Sequence, residues 1–273
     1  MPTALKRRAR AANTYHQGDA LEAELRIRIL ERLSWLSLEP DLILDVMSAT
    51  GQLAAEMQDL FPRATVIAAD PALPMSRSVA KGHANILPLT CDPSALPFAE
   101  GSMDLLIANL ALPWSPEPHR LLADWARVLK PQGTLLCATF GPDSFKELRA
   151  AWAEVGGKPV GSGFPDMHHL GDAMLALGLR DPVVYAERLQ FLYDTAERLW
   201  ADLTSPGLSA LLAPAHSAGL HNNAALRQLK QHVAHSARDG GFSVTIEAVF
   251  GYARGAPMPR LRPVDTHHSP ELG

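Results

Sequence analysis

The sequence predicts an α/β fold, a parallel sheet covered by helices on both faces. Three observations predict it. The run Leu42-Ile43-Leu44-Asp45-Val46-Met47 is a short apolar strand that enters a tight loop, Ser48-Ala49-Thr50-Gly51, which opens a helix. Strand-then-helix steps of this kind repeat four times, and their strands are nearly continuous apolar runs, the pattern of a sheet buried on both faces. An aspartate ends or follows each of the first three strands: Asp45, Asp70 and Asp92.

The elements follow in order. Leu21, Leu25, Ile29, Leu33 and Leu36 recur at helical spacing and predict a helix over 20–37, with Pro40 beyond its end. Strand 42–47 leads to a helix over 53–60, closed by Phe61-Pro62. Strand 65–69 ends at Asp70, and a short helix covers 75–80. Strand 86–90 runs into Cys91-Asp92, and Asp104 to Leu110 forms the fourth strand. Helix 119–129 stops before the turn Pro131-Gln132-Gly133, and strand 134–140 follows. Beyond Gly141-Pro142 comes a helix over 144–155, a Gly- and Pro-rich loop to Pro165, and a helix over 166–177 capped by Asp166 and stopped by Gly178. Two strand-like runs remain, 182–193 and 242–253, with helical pieces near 195–203 and 222–238 between them. From 255 to 273 the chain is rich in Pro and His and lacks periodicity, so a disordered tail is expected.

Composition excludes several classes. Of 273 residues, 47% are hydrophobic and 20% charged, an ordinary globular balance. A net charge of -4 disfavours non-specific nucleic-acid binding. No apolar run approaches the roughly 18 residues of a membrane helix, and no signal core follows the basic start Lys6, Arg7, Arg8 and Arg10. Cys91 and Cys137 sit in apolar runs, without disulfide or metal spacing, and a cytoplasmic setting is expected. His267-His268 is too short for a metal site.

In an open α/β sheet, ligands bind beyond the carboxyl ends of the strands, so the three aspartates converge on one crevice. A tight strand-to-helix loop turns backbone N–H groups toward a ligand. Asp70 is placed to accept both hydroxyls of a ribose, and Asp92, before Leu96-Pro97-Phe98, suits an adenine amine. Asp45 lies under the loop, where it can order the backbone or receive an ammonium group. Asn109 ends the fourth strand at the crevice floor, with Trp114 as an apolar wall or a packing wedge. Strand, loop, helix, strand and acid together make a Rossmann-like nucleoside site. The loop keeps one glycine, Gly51, where two or three are usual.

These residues carry a resemblance. Leu-Asp-x-x-x-x-Thr-Gly at 44–51, Ala-Asp at 69–70, Cys-Asp-x-x-x-Leu-Pro-Phe at 91–98, the run 103–114 and Arg-Val-Leu-Lys-Pro-x-Gly at 127–133 resemble class I S-adenosylmethionine-dependent methyltransferases. The segments 11–15, 139–152, 164–173 and 244–253 narrow this to the malonyl-acyl-carrier-protein O-methyltransferases of biotin synthesis. The resemblance spans about 9–254. It implies one methyltransferase domain over 1–254, with a seven-stranded, mostly parallel Rossmann-like sheet, its last strand antiparallel, and a helical lid from about 1–20 and 195–240. It implies S-adenosyl-L-methionine as cofactor and an acyl-carrier-linked substrate, an acidic partner that the basic start can meet.

The cofactor-binding set read this way is Asp45, Met47, Ala49, Gly51, Asp70 with Pro71, Asp92 with Pro93, and Asn109. Methylating a carboxylate needs no general base, since the acceptor is already ionised near neutral pH. The catalytic candidates are therefore anchors for that carboxylate, Tyr15 and Arg149. His168 and His169 either line the pocket or sit on a helix surface. Three departures from the family stand out. Met47-Ser48-Ala49-Thr50-Gly51 replaces Gly-x-Gly-x-Gly, which sends the Met47 thioether into either the sheet or the crevice. Gly161-Ser162-Gly163-Phe164 replaces His-x-Asn-x-Phe, and Ser205-Pro206-Gly207-Leu208 stands near the place of a Gly-Ala-His-Asn run. A second expectation thus stays open, a degenerate fold that binds a partner without turnover. A nicotinamide dehydrogenase is disfavoured, because Gly-x-Gly-x-x-Gly is absent.

Overall fold

The computed structural model describes residues 9–155, 163–205, 208, 211, 223–238 and 240–256. The tail beyond 256, the basic residues Lys6, Arg7 and Arg8, and Gly161-Ser162 lie outside them.

Seven strands form one sheet in the order β3-β2-β1-β4-β5-β7-β6. They are β1 (Leu42–Val46), β2 (Thr65–Asp70), β3 (Ile86–Thr90), β4 (Met103–Asn109), β5 (Leu129–Phe140), β6 (Arg180–Tyr193) and β7 (Phe242–Arg254). The first five pair in parallel, while β7 lies antiparallel between β5 and β6. The seven-stranded, mostly parallel sheet with an antiparallel last strand is therefore present. Strand order reverses between β1 and β4, which opens a crevice at their carboxyl ends.

Among the described residues, eight α-helices flank the sheet: α1 (Ala20–Leu33), α2 (Gln52–Leu60), α3 (Leu73–Gly82), α4 (Pro118–Val128), α5 (Lys146–Glu154), α6 (Met167–Ala176), α7 (Ala196–Thr204) and α8 (Asn223–Arg238). The four apolar positions Leu21, Leu25, Ile29 and Leu33 are all buried, so α1 packs by the stripe its spacing gives it. It ends at Leu33, short of 37, because the chain tightens there: Trp35 N–H bonds the Arg32 carbonyl and Leu36 N–H that of Leu33. The strand expected from 134 begins at Leu129, since Pro131-Gln132-Gly133 forms an irregularity within β5. Asp166 caps α6, its carboxylate accepting the His168 N–H at 2.8 Å. No helix among the described residues is long and apolar enough to cross a membrane.

The turn joining β5 to α5 is tied to β7. Glu247 Oε2 accepts the Asp143 N–H at 2.8 Å, and Glu147 accepts both the N–H and the hydroxyl of Thr245. Burial raises the Glu147 carboxyl, but the two Thr245 hydrogen bonds, with the residue's own N–H and the Lys146 charge, together leave the group below its ordinary value. A depressed folded value contributes stability above the ordinary glutamate range and loses it as pH falls through the folded value. Urea midpoints measured from pH 6 to pH 3 should therefore fall more steeply for the wild type than for Glu147→Gln. Parallel curves would show that Glu147 adds nothing to the acid response.

Candidate active site

The strand β1 ends on three left-handed residues in alternation. Met47 has φ of 62°, Ala49 of 51° and Gly51 of 92°. Only Gly51 is free of the steric cost of that region. A Cβ on Gly51 would lie 2.9 Å from Val79, so the last glycine is required both for its backbone and for its contact with α3. The glycine-poor loop thus keeps the backbone path of a glycine-rich one and stores strain at two positions. Ala49→Gly should relieve it. The left-handed cost for alanine is about 1–2 kcal/mol and glycine returns about 0.4–1 kcal/mol to the unfolded chain. The variant should gain roughly 0.5–1 kcal/mol of stability, read as a higher urea midpoint at unchanged slope; a lower midpoint would contradict it.

Asp70 holds this loop. It is 1% exposed. One carboxylate oxygen accepts the Ala49 N–H at 3.1 Å and the other the Ala72 N–H at 2.8 Å. It therefore sits beneath the loop and outside the walls of both cavities described next. Asp70 thus orders the loop backbone, a role the sequence offered to Asp45.

Two cavities flank Met47. The larger, about 470 Å³, opens between the ends of β1, β2 and β3 and the turn Leu112–Trp114. Met47, Pro71, Asp92, Pro93, Trp114 and Leu121 are among its walls, with Arg120 at its edge. Asp92 is exposed, and one oxygen accepts both the N–H and the hydroxyl of Ser94, which hold its carboxyl below the ordinary range. Cys91 also lines this cavity. Burial, then the charges of Asp92 and Asp70, push its thiol up to about 11, so it is a neutral wall group.

The smaller cavity is a polar slot of about 20 Å³, far below the roughly 300–1,000 Å³ of ligand pockets. Asp45, Met47, Ala49 and Asn109 line it from the sheet, and Tyr15, Glu22 and Arg26 close it from the N-terminal side. Asn109 donates to the Glu22 carbonyl at 2.9 Å, so the strand end and α1 are clamped together. Arg26 pairs with Glu56 at 3.0 Å. Ser48 Oγ is buried against this slot and has no hydrogen-bond partner among the described residues. Over the slot the turns Ala11–Asn13 and Tyr15–Gln17 lie down, Ala12 and Tyr15 packing with Ala49, Ala72 and Met75. Met47 is 3% exposed and borders both cavities, so its side chain forms the partition between them as well as part of the core.

The structure thus gathers eight sequence-derived positions about one crevice: Tyr15, Asp45, Met47, Ala49, Pro71, Asp92, Pro93 and Asn109 all line its cavities. Gly51 and Asp70 lie just behind, in the loop and beneath it. Arg149 is elsewhere. Its guanidinium donates to the carbonyls of Ser144 and Pro142, the latter at 2.9 Å, so it laces the β5–α5 turn. His168 and His169 are exposed on α6. Glu22, Arg26 and Ser94 are site residues that the sequence did not single out. Glu22 and Arg26 fall between the leucines of α1 and read as its solvent face, and burial of Glu22 appears only once α1 meets β4.

The donor set suits a sulfonium nucleoside with an amino-acid tail. The large cavity offers apolar walls together with the acids Asp92 and Glu117. The slot offers carboxylates for an ammonium group, Arg26 for a carboxylate, and an orphan hydroxyl at Ser48.

Comparison with known proteins agrees. A family model described as a methyltransferase domain matches residues 44–137. A malonyl-[acyl-carrier protein] O-methyltransferase of Gallionella capsiferriformans is 34% identical, over 93% of this chain and 90% of its own. That of Laribacter hongkongensis is also 34% identical, over 93% and 89%. Among solved structures, the YcgJ protein of Bacillus subtilis superimposes with a TM-score of 0.59 at 16% identity, over 84% of this chain and 98% of its own, and shares the fold.

Proposed function

Since the chain belongs to the S-adenosylmethionine-dependent methyltransferases, within the malonyl-acyl-carrier-protein O-methyltransferase family, we propose that it methylates the free carboxylate of malonyl-acyl carrier protein, a step of biotin synthesis. The observation that carries the reading is the likeness to relatives of that name, which covers 93% of this chain and so extends well beyond the nucleotide half. The preserved left-handed loop supports turnover over mere partner binding.

When bound, S-adenosylmethionine would supply an electrophilic methyl for an acceptor oxygen, with its sulfonium sulfur as the leaving group. The remaining work is alignment and exclusion of water. In this reading Asp92, Pro71 and Pro93 hold the adenosine end. The Asp70-braced loop through Ala49 and Gly51 approaches the ribose and tail. Asp45 faces the amino-acid group, and Asn109 fixes the floor. Tyr15, buried over the slot, anchors the acceptor carboxylate. Arg149, committed to two carbonyls, acts by positioning the β5–α5 turn.

The test is transfer of labelled methyl from S-adenosylmethionine to malonyl-carrier protein and to free malonate. Carrier-bound acceptor should be favoured by roughly a hundredfold in kcat/KM, because remote binding energy is realised only with the whole substrate. Cofactor binding with no transfer to either carboxylate would overturn the acceptor assignment.

A further inference from the structure

The two cavities of the crevice have one wall residue in common. Among the described residues, Met47 alone lines both the large cavity and the slot. A nucleoside joined through sulfur to an amino-acid tail needs both spaces, and they are unequal. The large cavity, at about 470 Å³, lies within the roughly 300–1,000 Å³ of ligand pockets and has room for the nucleoside. The slot, at about 20 Å³, is little more than the roughly 10–15 Å³ that one water needs, too small for the ammonium and carboxylate of the tail. Its lining nonetheless calls for polar groups. Ser48 Oγ and Asn109 Oδ1 are buried there without a hydrogen-bond partner among the described residues, beside Asp45 and Arg26. Buried polar atoms left this way are costly and rare. The slot is built for a ligand that it has no room for while the Met47 side chain stands in place.

The loop backbone is not free to make that room. Ser48 N–H donates to the Ala69 carbonyl of β2 at 3.1 Å, Gly51 N–H to the Ser48 carbonyl at 2.9 Å, and Asp70 holds the N–H groups of Ala49 and Ala72. The Met47 side chain differs in kind. Methionine is unbranched and turns about three single bonds, and this one borders the open space of the large cavity. Turning the thioether toward that space widens the slot and leaves the left-handed backbone, at φ of 62°, untouched.

We infer that the Met47 thioether is a gate across the cofactor site, and that with the gate shut the large cavity is a self-contained site for an adenosine bearing only a short 5′-thioether. A nucleoside with an amino-acid tail binds only to molecules whose thioether has turned aside. Selecting a minor state weakens the apparent affinity in proportion to its population, so a gate open in about one molecule in ten weakens tailed ligands about tenfold and leaves tailless ones unaffected. Tailless 5′-thioadenosines are therefore competitors of the cofactor in this chain. The inference rests on the placing of adenosine beside Asp92 proposed above. It does not use the acceptor, and it stands whether or not malonyl-carrier protein is methylated.

Calorimetric titration of the full chain with two probes, S-adenosylhomocysteine and 5′-methylthioadenosine, tests this. Met47→Ala removes the thioether and keeps a Cβ on the left-handed backbone. It should tighten S-adenosylhomocysteine about tenfold and leave 5′-methylthioadenosine within about twofold. Met47→Leu keeps the core filled should the space left by alanine unfold the protein. Its branched end cannot turn as methionine does, so S-adenosylhomocysteine should weaken by about threefold or more while the short probe is spared. Unchanged or weaker S-adenosylhomocysteine binding in a folded Met47→Ala protein overturns the inference. If that variant does not fold, unaltered binding by Met47→Leu overturns it instead. Equal shifts for both probes also overturn it, because a residue that only shapes the loop does not distinguish a tail from none. If 5′-methylthioadenosine fails to bind the wild type, or binds equally well to Asp92→Ala, adenosine does not lie in the large cavity, and that placing fails together with the gate. Wild-type binding of the short probe that Asp92→Ala weakens, with S-adenosylhomocysteine unmoved by the Met47 variants, sinks the gate alone.

Discussion

Asp70→Ala should lower the unfolding free energy by about 2–4 kcal/mol, since two buried N–H groups lose their acceptor at about 1–3 kcal/mol each. The two are those of Ala49 and Ala72, both buried. The same change should weaken S-adenosylmethionine binding by more than about tenfold, because a loop held in left-handed backbone at residues 47 and 49 loses its brace. Asp70→Asn separates geometry from charge. Its amide oxygen keeps one acceptor, but its NH2 faces the second N–H, so its stability should fall close to that of the alanine variant. Denaturant unfolding and calorimetric titration read both effects. Unaltered affinity in a folded Asp70→Ala protein would show that the loop needs no carboxylate beneath it.

The other large effect is expected far from the crevice. Glu187 of β6 pairs with Arg32 and, at 2.7 Å, with Arg28, both on α1. The Arg32 side chain is only 8% exposed, and its guanidinium lies 4.1 Å from the Phe250 ring centroid and 5.0 Å from that of Tyr185. Removing the carboxylate strands a buried cation. Glu187→Ala should therefore cost about 3 kcal/mol, seen as a lower guanidinium midpoint. Replacing both partners by methionine should recover much of the loss, because the buried charge goes with its partner. A loss below about 0.5 kcal/mol in Glu187→Ala would show the pair to be solvated in effect. The aromatic stack would then carry the α1–β6 contact.

The two residues differ in how far the sequence announces them. Asp70 ends a strand before a helix, a local pattern, and its place at the strand end was readable, where the sequence offered it a ribose. Its hydrogen-bond partners were not, because Ala49 lies 21 positions away. Glu187 and Arg32 are 155 positions apart, and each alone reads as a solvated surface charge. Arg149 has contacts that the sequence did not announce. An arginine on an amphipathic helix in a family-like segment invites a substrate role, yet its own turn offers two nearby carbonyls that claim the guanidinium. Met47 was left open between sheet and crevice, and the structure puts it in both, as a wall with a cavity on each side.

Apolar runs, helical spacing and turn residues act over a few positions, so the sequence by itself determined the seven strands, most helix limits and the aspartates at the strand ends. The tertiary structure alone decided the insertion of β7 between β5 and β6, the left-handed backbone at Met47 and Ala49, and the burial of Glu22. Each of these depends on atoms brought together from distant positions, where desolvation and close contact are set by the partner and leave no mark in the local pattern.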